Sequence, residues 1–427
     1  MQMMKWSVIA LAVAAGTSQM ALASSQSESK GFVEDSSFDL FSRALYMNRD
    51  YKHGANSADA KASARENGYS EELGLGIRGL FESGFTQGTV GFGVDAHSLS
   101  SIRLDTGRGR TDLGQFDLNE KGQAEETQTE VGGAVKARIS ESTLKHGQMT
   151  VASPVFSTDD SRILPEIATG TYLTSTEIAG LELSAGHFTA GSSQVSTDRD
   201  TAKLKSANIY GASYSFTDNF SGSVHASDIE DYWTKKYINL NYTFALADDQ
   251  AFGLDFNYYK SDDDGQKLGG DLQNKLWSFA PSYTIGAHTF TLGYQRSSGD
   301  TGYNYGVDGG ATVWVNNSVQ IADYIGKDER SYQAKYDLDM TTLGVPGLSF
   351  MARYVTGDNI DVEGFAQEGK EHEFNFETQY VFQDGPAKDL SLRLRNAIYR
   401  SNDAAAEVSY VDMNDLRLIA EYPLDIL

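Results

Sequence analysis

The sequence predicts an all-β protein, a transmembrane antiparallel β-barrel closed on itself, and three observations carry that prediction. Apolar and polar residues alternate strictly over many stretches. The stretches are long enough for tilted strands to cross a bilayer. The connections between them alternate between short turns and long polar loops.

The alternation is read directly from the residues. Val90, Phe92, Val94 and Ala96 share one face, with Gly91, Gly93 and Asp95 on the other. Ile238, Leu240, Tyr242 and Phe244 alternate with Asn239, Asn241 and Thr243, and Phe252, Leu254, Phe256 and Tyr258 with Gly253, Asp255 and Asn257. The same period of two runs through Phe290, Leu292 and Tyr294, through Phe374 and Phe376, through Leu390, Leu392 and Leu394, and through Leu416, Leu418 and Ala420. One apolar and one polar face per strand is the mark of a half-solvated sheet. Tyr210, Phe216, Phe374 and Phe382 stand at strand ends, where barrels carry interfacial aromatic girdles.

Short turns are expected at 216–220, 245–251, 286–287, 339–347 and 383–389, the last two marked by Val345-Pro346-Gly347 and Gly385-Pro386. Long polar loops are expected at 260–275, 296–330, 355–371 and 401–415, so that short and long connections alternate strictly through the C-terminal half. Outer-membrane barrels alternate short periplasmic turns with long extracellular loops, whereas a soluble sandwich has no reason to. A backbone in lipid must satisfy every hydrogen bond, so the sheet has to close. At roughly 22 residues per strand and half-hairpin the chain supplies about 18 strands, enough to enclose an aqueous channel.

Residues 1–5 form a short basic segment, 6–15 are apolar, and Ala21-Leu22-Ala23 offers an A-x-A cleavage site. Residues 1–23 are therefore read as a signal peptide and 24–427 as a single barrel domain in the outer membrane of a Gram-negative bacterium. Lys plus Arg total 35 against 59 Asp plus Glu, a net charge of -24, which argues against binding nucleic acid. Zero cysteines exclude disulfides, thiolate zinc sites and a Cys nucleophile. Neither a cofactor nor a metal site is expected. The Gly74-Leu75-Gly76-Ile77-Arg78-Gly79 stretch matches a dinucleotide fingerprint, but it lies within a strand and is read as strand glycine. Asp262-Asp263-Asp264-Gly265 lacks the distal Glu of a calcium loop and is read as an external turn.

Strand parity sorts the basic residues. With Leu392 and Leu394 outward, Arg393 and Arg395 face the lumen, and with Leu416 and Leu418 outward so does Arg417. Parity also turns Arg353, Lys335, Lys136, Arg138 and Arg78 inward, with Glu373, Glu377 and Glu421 as possible partners for this charge. A charge on the lipid face near the midplane would cost about 2–4 kcal/mol, so inward placement follows. Arginines that line a pore attract anionic groups and offer bidentate recognition of carboxylates. Most of the acid, by contrast, is expected in external loops and turns. The stretch from Ser153 to Pro165 breaks the strand rhythm with two prolines, and its apolar Val155, Phe156, Ile163 and Leu164 predict a loop that folds into the barrel and narrows it. Phe156, Asp159, Ser161 and Arg162 are its candidate constriction residues.

Taken together, residues 84–95, Gly132-Gly133-Ala134-Val135-Lys136, the 154–165 stretch, Gly344-Val345-Pro346-Gly347-Leu348, Gly357-Asp358-Asn359-Ile360, 390–400 and the closing Tyr422-Pro423-Leu424-Asp425-Ile426-Leu427 resemble the OprD family of outer-membrane channels, the Occ porins. The resemblance covers essentially the whole mature chain. It implies eighteen strands, an inward constriction loop, and passive diffusion of small, mostly carboxylate-bearing solutes past a basic ladder. Arg393, Arg395 and Arg417 fall on the ladder positions and Arg162 on the inward loop. Lys136, Arg138 and Arg353 rest mainly on parity. The terminal Leu427 stands where outer-membrane barrels in general end on an aromatic residue. The family divides between channels for basic amino acids and channels for cyclic or aromatic carboxylates, and the sequence leaves that choice open. The expected partners are small carboxylate solutes, outer-membrane lipid and lipopolysaccharide, in a monomer or weak trimer. The alternatives are a non-selective porin and, from another class, a barrel hydrolase.

Overall fold

A computed structural model of the protein describes residues 26–52, 68–107, 110–111, 113–307 and 311–427. The segment 1–23, read from the sequence as a signal peptide, lies outside these residues. The first nine strands are β1 Ser37–Tyr51, β2 Tyr69–Glu82, β3 Val90–Asp105, β4 Thr127–Ile139, β5 Ser142–Met149, β6 Ile167–Ile178, β7 Leu181–Ser192, β8 Ala207–Thr217 and β9 Phe220–Ile229. The remainder are β10 Trp233–Ala247, β11 Gln250–Asp263, β12 Gln273–Ile285, β13 His288–Gly299, β14 Arg330–Asp339, β15 Leu348–Ile360, β16 Gly369–Val381, β17 Ser391–Ser401 and β18 Met413–Asp425. One four-residue helix, Ala405–Val408, lies in the last loop.

These strands form one 18-stranded antiparallel sheet in sequence order, and β18 pairs back onto β1 to close it. Closure satisfies the ladder hydrogen bonds that an open edge would leave bare in lipid. The alternating residues fall as parity requires. Phe92, Val131, Val135, Leu292 and Leu418 are exposed on the outer face, while Ser278, Gln295, Ser331 and Asn375 are buried inside it.

Turns on one side are short, such as 140–141, 218–219 and 286–287. On the other side run the loops 106–126, 150–166, 193–206, 300–329 and 402–412. The predicted strict alternation fails at 230–232, where β9 and β10 are joined by three residues on the long-loop side, and at 361–368, which is no longer than the flanking connections 340–347 and 382–390 on the short-turn side. The loops 264–272 and 361–368 are also shorter than the polar stretches predicted, because β11, β12, β15 and β16 extend into polar sequence beyond the bilayer.

Apolar clusters sit inside the barrel where loops lean on the wall. Ile163, Leu164, Leu113 and Phe116 pack with Leu45 and Met47 of β1. Val155 and Tyr303 join Phe188, Trp233 and Tyr259. Ile321, Ala322 and Tyr324 pack against Val355 and Tyr399. Three loops, 106–126, 150–166 and 300–329, thus fold into the lumen, where only 150–166 was anticipated.

Candidate functional site

Loop 150–166 enters the barrel because the wall is cut away to receive it. A Cβ on Gly76 would lie 2.1 Å from the Ile163 carbonyl oxygen, and one on Gly74 would lie 2.9 Å from both Ile163 and Phe116. These β2 glycines, read as ordinary strand positions, are the seat of the inward loops. Arg78, two residues further along the same lumenal face, donates from Nη2 to the Ile163 oxygen at 3.0 Å. The Pro154 oxygen accepts from the Tyr259 hydroxyl at 3.0 Å. Phe156 stacks on Phe188 with centroids 5.1 Å apart, so it fastens the loop to the wall and leaves the polar residues at its tip.

The tip is held by charge. Asp160 lies between Arg78, at 2.6 Å, and Arg43 of β1, at 2.9 Å. Burial would raise the Asp160 carboxyl, but Arg78 and Arg43 outweigh it and hold the group below the usual carboxylate range. Asp159 turns the other way and accepts from the Ser161 amide at 2.8 Å and hydroxyl at 2.7 Å. Arg162 donates from Nε to the Leu113 oxygen at 2.7 Å. Burial, together with the nearby Arg417 and Arg49, pushes it down to about 10.

The basic residues of the wall lie in layers on adjacent strands. Asp415, pairing with Arg49 in the sheet register, and Arg353, pairing with Asn375, occupy the layer nearest the long loops. Two residues along, roughly 7 Å nearer the short turns, Arg395 and Arg417 are direct register partners. Arg393 lies a further two residues on, and Arg43 opposite Glu421 two beyond that. Glu377 pairs with Arg395 at 3.0 Å and with Arg393 at 3.6 Å, and Glu421 pairs with Arg43 at 2.7 Å. Arg353 donates to the Asn375 side chain at 3.0 Å. Arg417 differs from its neighbours. It is buried, bound to Asp415 at 2.7 Å, and donates from Nη2 to the Gln320 oxygen at 3.2 Å. The structure therefore brings Arg162, Arg353, Arg393, Arg395 and Arg417 to one side of the constriction, with Arg417 sealed beneath loop 300–329.

Loop 300–329 supplies the opposite charge. The buried Glu373 of β16 accepts from the amides of Ile321 at 3.2 Å and Ala322 at 3.0 Å, and Gln320 donates to Asp415 at 2.7 Å. Asp323 is presented between the Tyr305 and Ser318 hydroxyls, both at 2.5 Å. Burial raises Asp323, these two hydrogen bonds oppose the rise in part, and the charge of Asp159 adds to it. Burial likewise raises Asp159, with the Ser161 bonds and Arg162 opposing. An acidic group, Asp159 and Asp323, thus accompanies the basic one.

Lys136 and Arg138 face the lumen but stand apart from this group. Lys136 pairs with Asp95 at 2.6 Å, and Arg138 donates to the Gln26 side chain at 3.0 Å and lies over the Phe85 ring at 4.1 Å. They line the short-turn end, where residues ahead of β1 fold inward over them. Sequence reasoning missed Arg43, Arg49, Asp160, Asp323 and Asp415. Parity would have turned Asp415 inward as it did Arg417, but on β1 Arg43 and Arg49 share a face with Leu45 and Met47, so its alternation gives no such signal. No local signal marks Asp160 or Asp323. Among the described residues no cluster of three His, Asp or Glu is placed to hold a metal.

The profile of the outer membrane porins of the OprD family matches residues 30–426. Porin D of Pseudomonas aeruginosa is 43% identical over the full length of both chains. OccAB1 of Acinetobacter baumannii superposes with a TM-score of 0.88 at 32% identity, covering 95% of this chain and all of that one. OpdK of P. aeruginosa, solved with vanillate, superposes with a TM-score of 0.80 at 32% identity over 92% of this chain and all of that one. These relatives are channels rather than enzymes and belong to the Gram-negative outer membrane. This chain belongs to the OprD family of outer-membrane porins.

Proposed function

We propose that the channel prefers small solutes bearing a carboxylate, and that Arg393, Arg395 and Arg162 guide that carboxylate past the constriction. The observation that carries this reading is the state of Arg395. It is a quarter exposed to the lumen, and Glu377 is its one ion-pair partner among the described residues. A guanidinium with donors to spare in a water-filled constriction exchanges water for a carboxylate at little cost and in a bidentate geometry. Arg393 shares the same Glu377 and stands one layer nearer the short turns, so a carboxylate leaving Arg395 meets it next. Arg353 extends the path toward the loops. Arg417 supports it from beneath. Lys136 and Arg138, covered at the short-turn end and held by Asp95 and Gln26, stay outside this path.

The Asp159 and Asp323 pair favours a solute that also carries a cationic group, such as an amino acid, since each end then meets its opposite charge. Passage is passive and needs no energy source. Liposome swelling with arginine, benzoate and glucose tests the reading. Arginine uptake should exceed benzoate, and benzoate should exceed glucose. Equal uptake of all three would make the protein a non-selective porin.

A further inference from the structure

The outer face of the barrel carries a row of basic side chains across five neighbouring strands. On β10, Lys236, Ile238, Leu240 and Tyr242 face outward, alternating with the inward Lys235, Tyr237 and Asn239. Register sets Lys236 opposite Lys260 of β11, and Lys260 opposite Lys275 of β12. Arg296 of β13 lies opposite Trp277, one layer deeper, and Arg330 of β14 lies opposite Arg296. These five side chains form a row at the long-loop ends of five neighbouring strands, spanning about 20 Å at an inter-strand spacing of about 4.8 Å.

Lys260 is paired with Asp262 at 3.0 Å and Arg330 with Asp358 at 3.2 Å. Lys236, Lys275 and Arg296 are exposed, and their side chains have no partner among the described residues. Like charges directly opposite on a ladder repel, so the sheet holds these lysines at an electrostatic cost that an anion would remove. Elsewhere on the rim the outward positions carry acid or paired charge. Asp228 stands on β9, Lys370 is paired with Glu368, and Arg400 lies by Asp412.

Immediately below the lysines, on the bilayer side, aromatic rings replace charge. Trp277 and Tyr294 have centroids 5.2 Å apart, as do Tyr294 and Tyr332. Amphipathic rings seat at the headgroup level, which fixes the height of the row at the phosphates of the extracellular leaflet. We propose that Lys236, Lys260, Lys275, Arg296 and Arg330 form a binding site for the phosphorylated headgroup of an outer-leaflet glycolipid, the lipid anchor of lipopolysaccharide, with its acyl chains against the aromatic band. A free anion at this exposed surface is screened by salt. A phosphate carried by a lipid is held at this height by its own chains, and clustered bases beside a bilayer recognise such headgroups.

The test titrates the detergent-purified protein in native mass spectrometry with diphosphorylated lipid A, with the same lipid stripped of its phosphates, and with inorganic phosphate. The phosphorylated lipid should stay bound under activation that releases the stripped one. The K236Q/K260Q/K275Q variant should bind it at least about tenfold more weakly, with carboxylate flux and the compact, heat-modifiable gel band unchanged. Equal retention of both lipids by the unsubstituted protein overturns the proposal. So does a folded triple variant that binds as the parent does, or displacement of the lipid by an equal concentration of inorganic phosphate. The comparison of the two lipids needs no variant, and decides the case alone if the triple substitution does not assemble.

Discussion

Arg395 of β17 and Arg417 of β18 are direct register partners, yet the lumen reaches one guanidinium and not the other. The Arg395 side chain is 25% exposed and that of Arg417 7%. The difference comes from above. Gln320 on loop 300–329 lies over Arg417 and bonds both it and Asp415. Two arginines in equivalent strand positions thereby face different surroundings, one the open lumen and one the loop.

Their replacements should separate. Arg395→Met should lower monocarboxylate flux about fivefold, the worth of roughly 1 kcal/mol for a partly screened charge pair, with conductance nearly unchanged. Arg417→Met leaves Asp415 buried with half its neutralisation and should cost about 3 kcal/mol of stability. It should also free loop 300–329, raising conductance and current noise. Planar-bilayer recordings and thermal unfolding read both, and identical phenotypes would contradict the division.

Gly76 predicts the size of the pore. A methyl there meets the Ile163 carbonyl at 2.1 Å, and backbone on a β-strand has little room to yield. Gly76→Ala should displace loop 150–166 and enlarge single-channel conductance with loss of discrimination between benzoate and glucose. A folded variant of unchanged conductance would show that the loop does not set the bore.

Acidification should make the channel more anion-selective. Asp159 and Asp323, raised by burial, take up protons at higher pH than ordinary carboxylates, so their negative charge is lost first as pH falls. Asp160, held low by its two arginines, stays ionised, and Arg162 at about 10 stays positive. Reversal potentials in a salt gradient, followed as pH falls from neutrality toward the ordinary carboxylate range of about 4, should shift toward the anion before ordinary carboxylates titrate. Asp323→Asn should shrink that shift, and an undiminished shift would place the titrating groups elsewhere.

Glu373 is an anchor rather than a ladder counter-charge. It accepts two loop amides and the Asn375 side chain, the last at 2.6 Å. Glu373→Ala orphans buried donors at about 1–3 kcal/mol and should speed protease cleavage within 300–329. Glu373→Gln keeps an acceptor and should recover part of the protection. Equal cleavage rates in all three proteins would refute the anchor.

The barrel was legible in the sequence because its period of two is local. Leu392 and Leu394 against Arg393 and Arg395 fix their faces without knowledge of any neighbour. The eighteen strands and the inward turn of 150–166 follow from comparably local cues. What joins strands was not legible. Asp160 meets Arg43 from 117 residues away and Arg78 from 82, and Gln320 covers Arg417 from 97. Loop 300–329 read as external because it is polar, yet its polar groups are satisfied by Gln295, Ser278 and Ser331 of the wall. For the same reason the acid is less external than composition implied. Asp160, Glu373, Glu377 and Asp415 all stand in the lumen beside arginines, and Asp323 stands near Asp159.

The seam between β1 and β18 bears on how the protein is made. Ser42 and Tyr422, bonded across it, are 380 residues apart, so the first strand waits for the last to be synthesised before it has a second neighbour. Arg43 finds Glu421, and Arg49 finds Asp415, only on that final strand. Until then the ladder lacks those two carboxylates, and both edges of the nascent sheet are bare. A partly paired sheet would leave both edges bare in hydrocarbon, so the barrel is stable in the bilayer only when its last thirteen-residue strand closes onto β1.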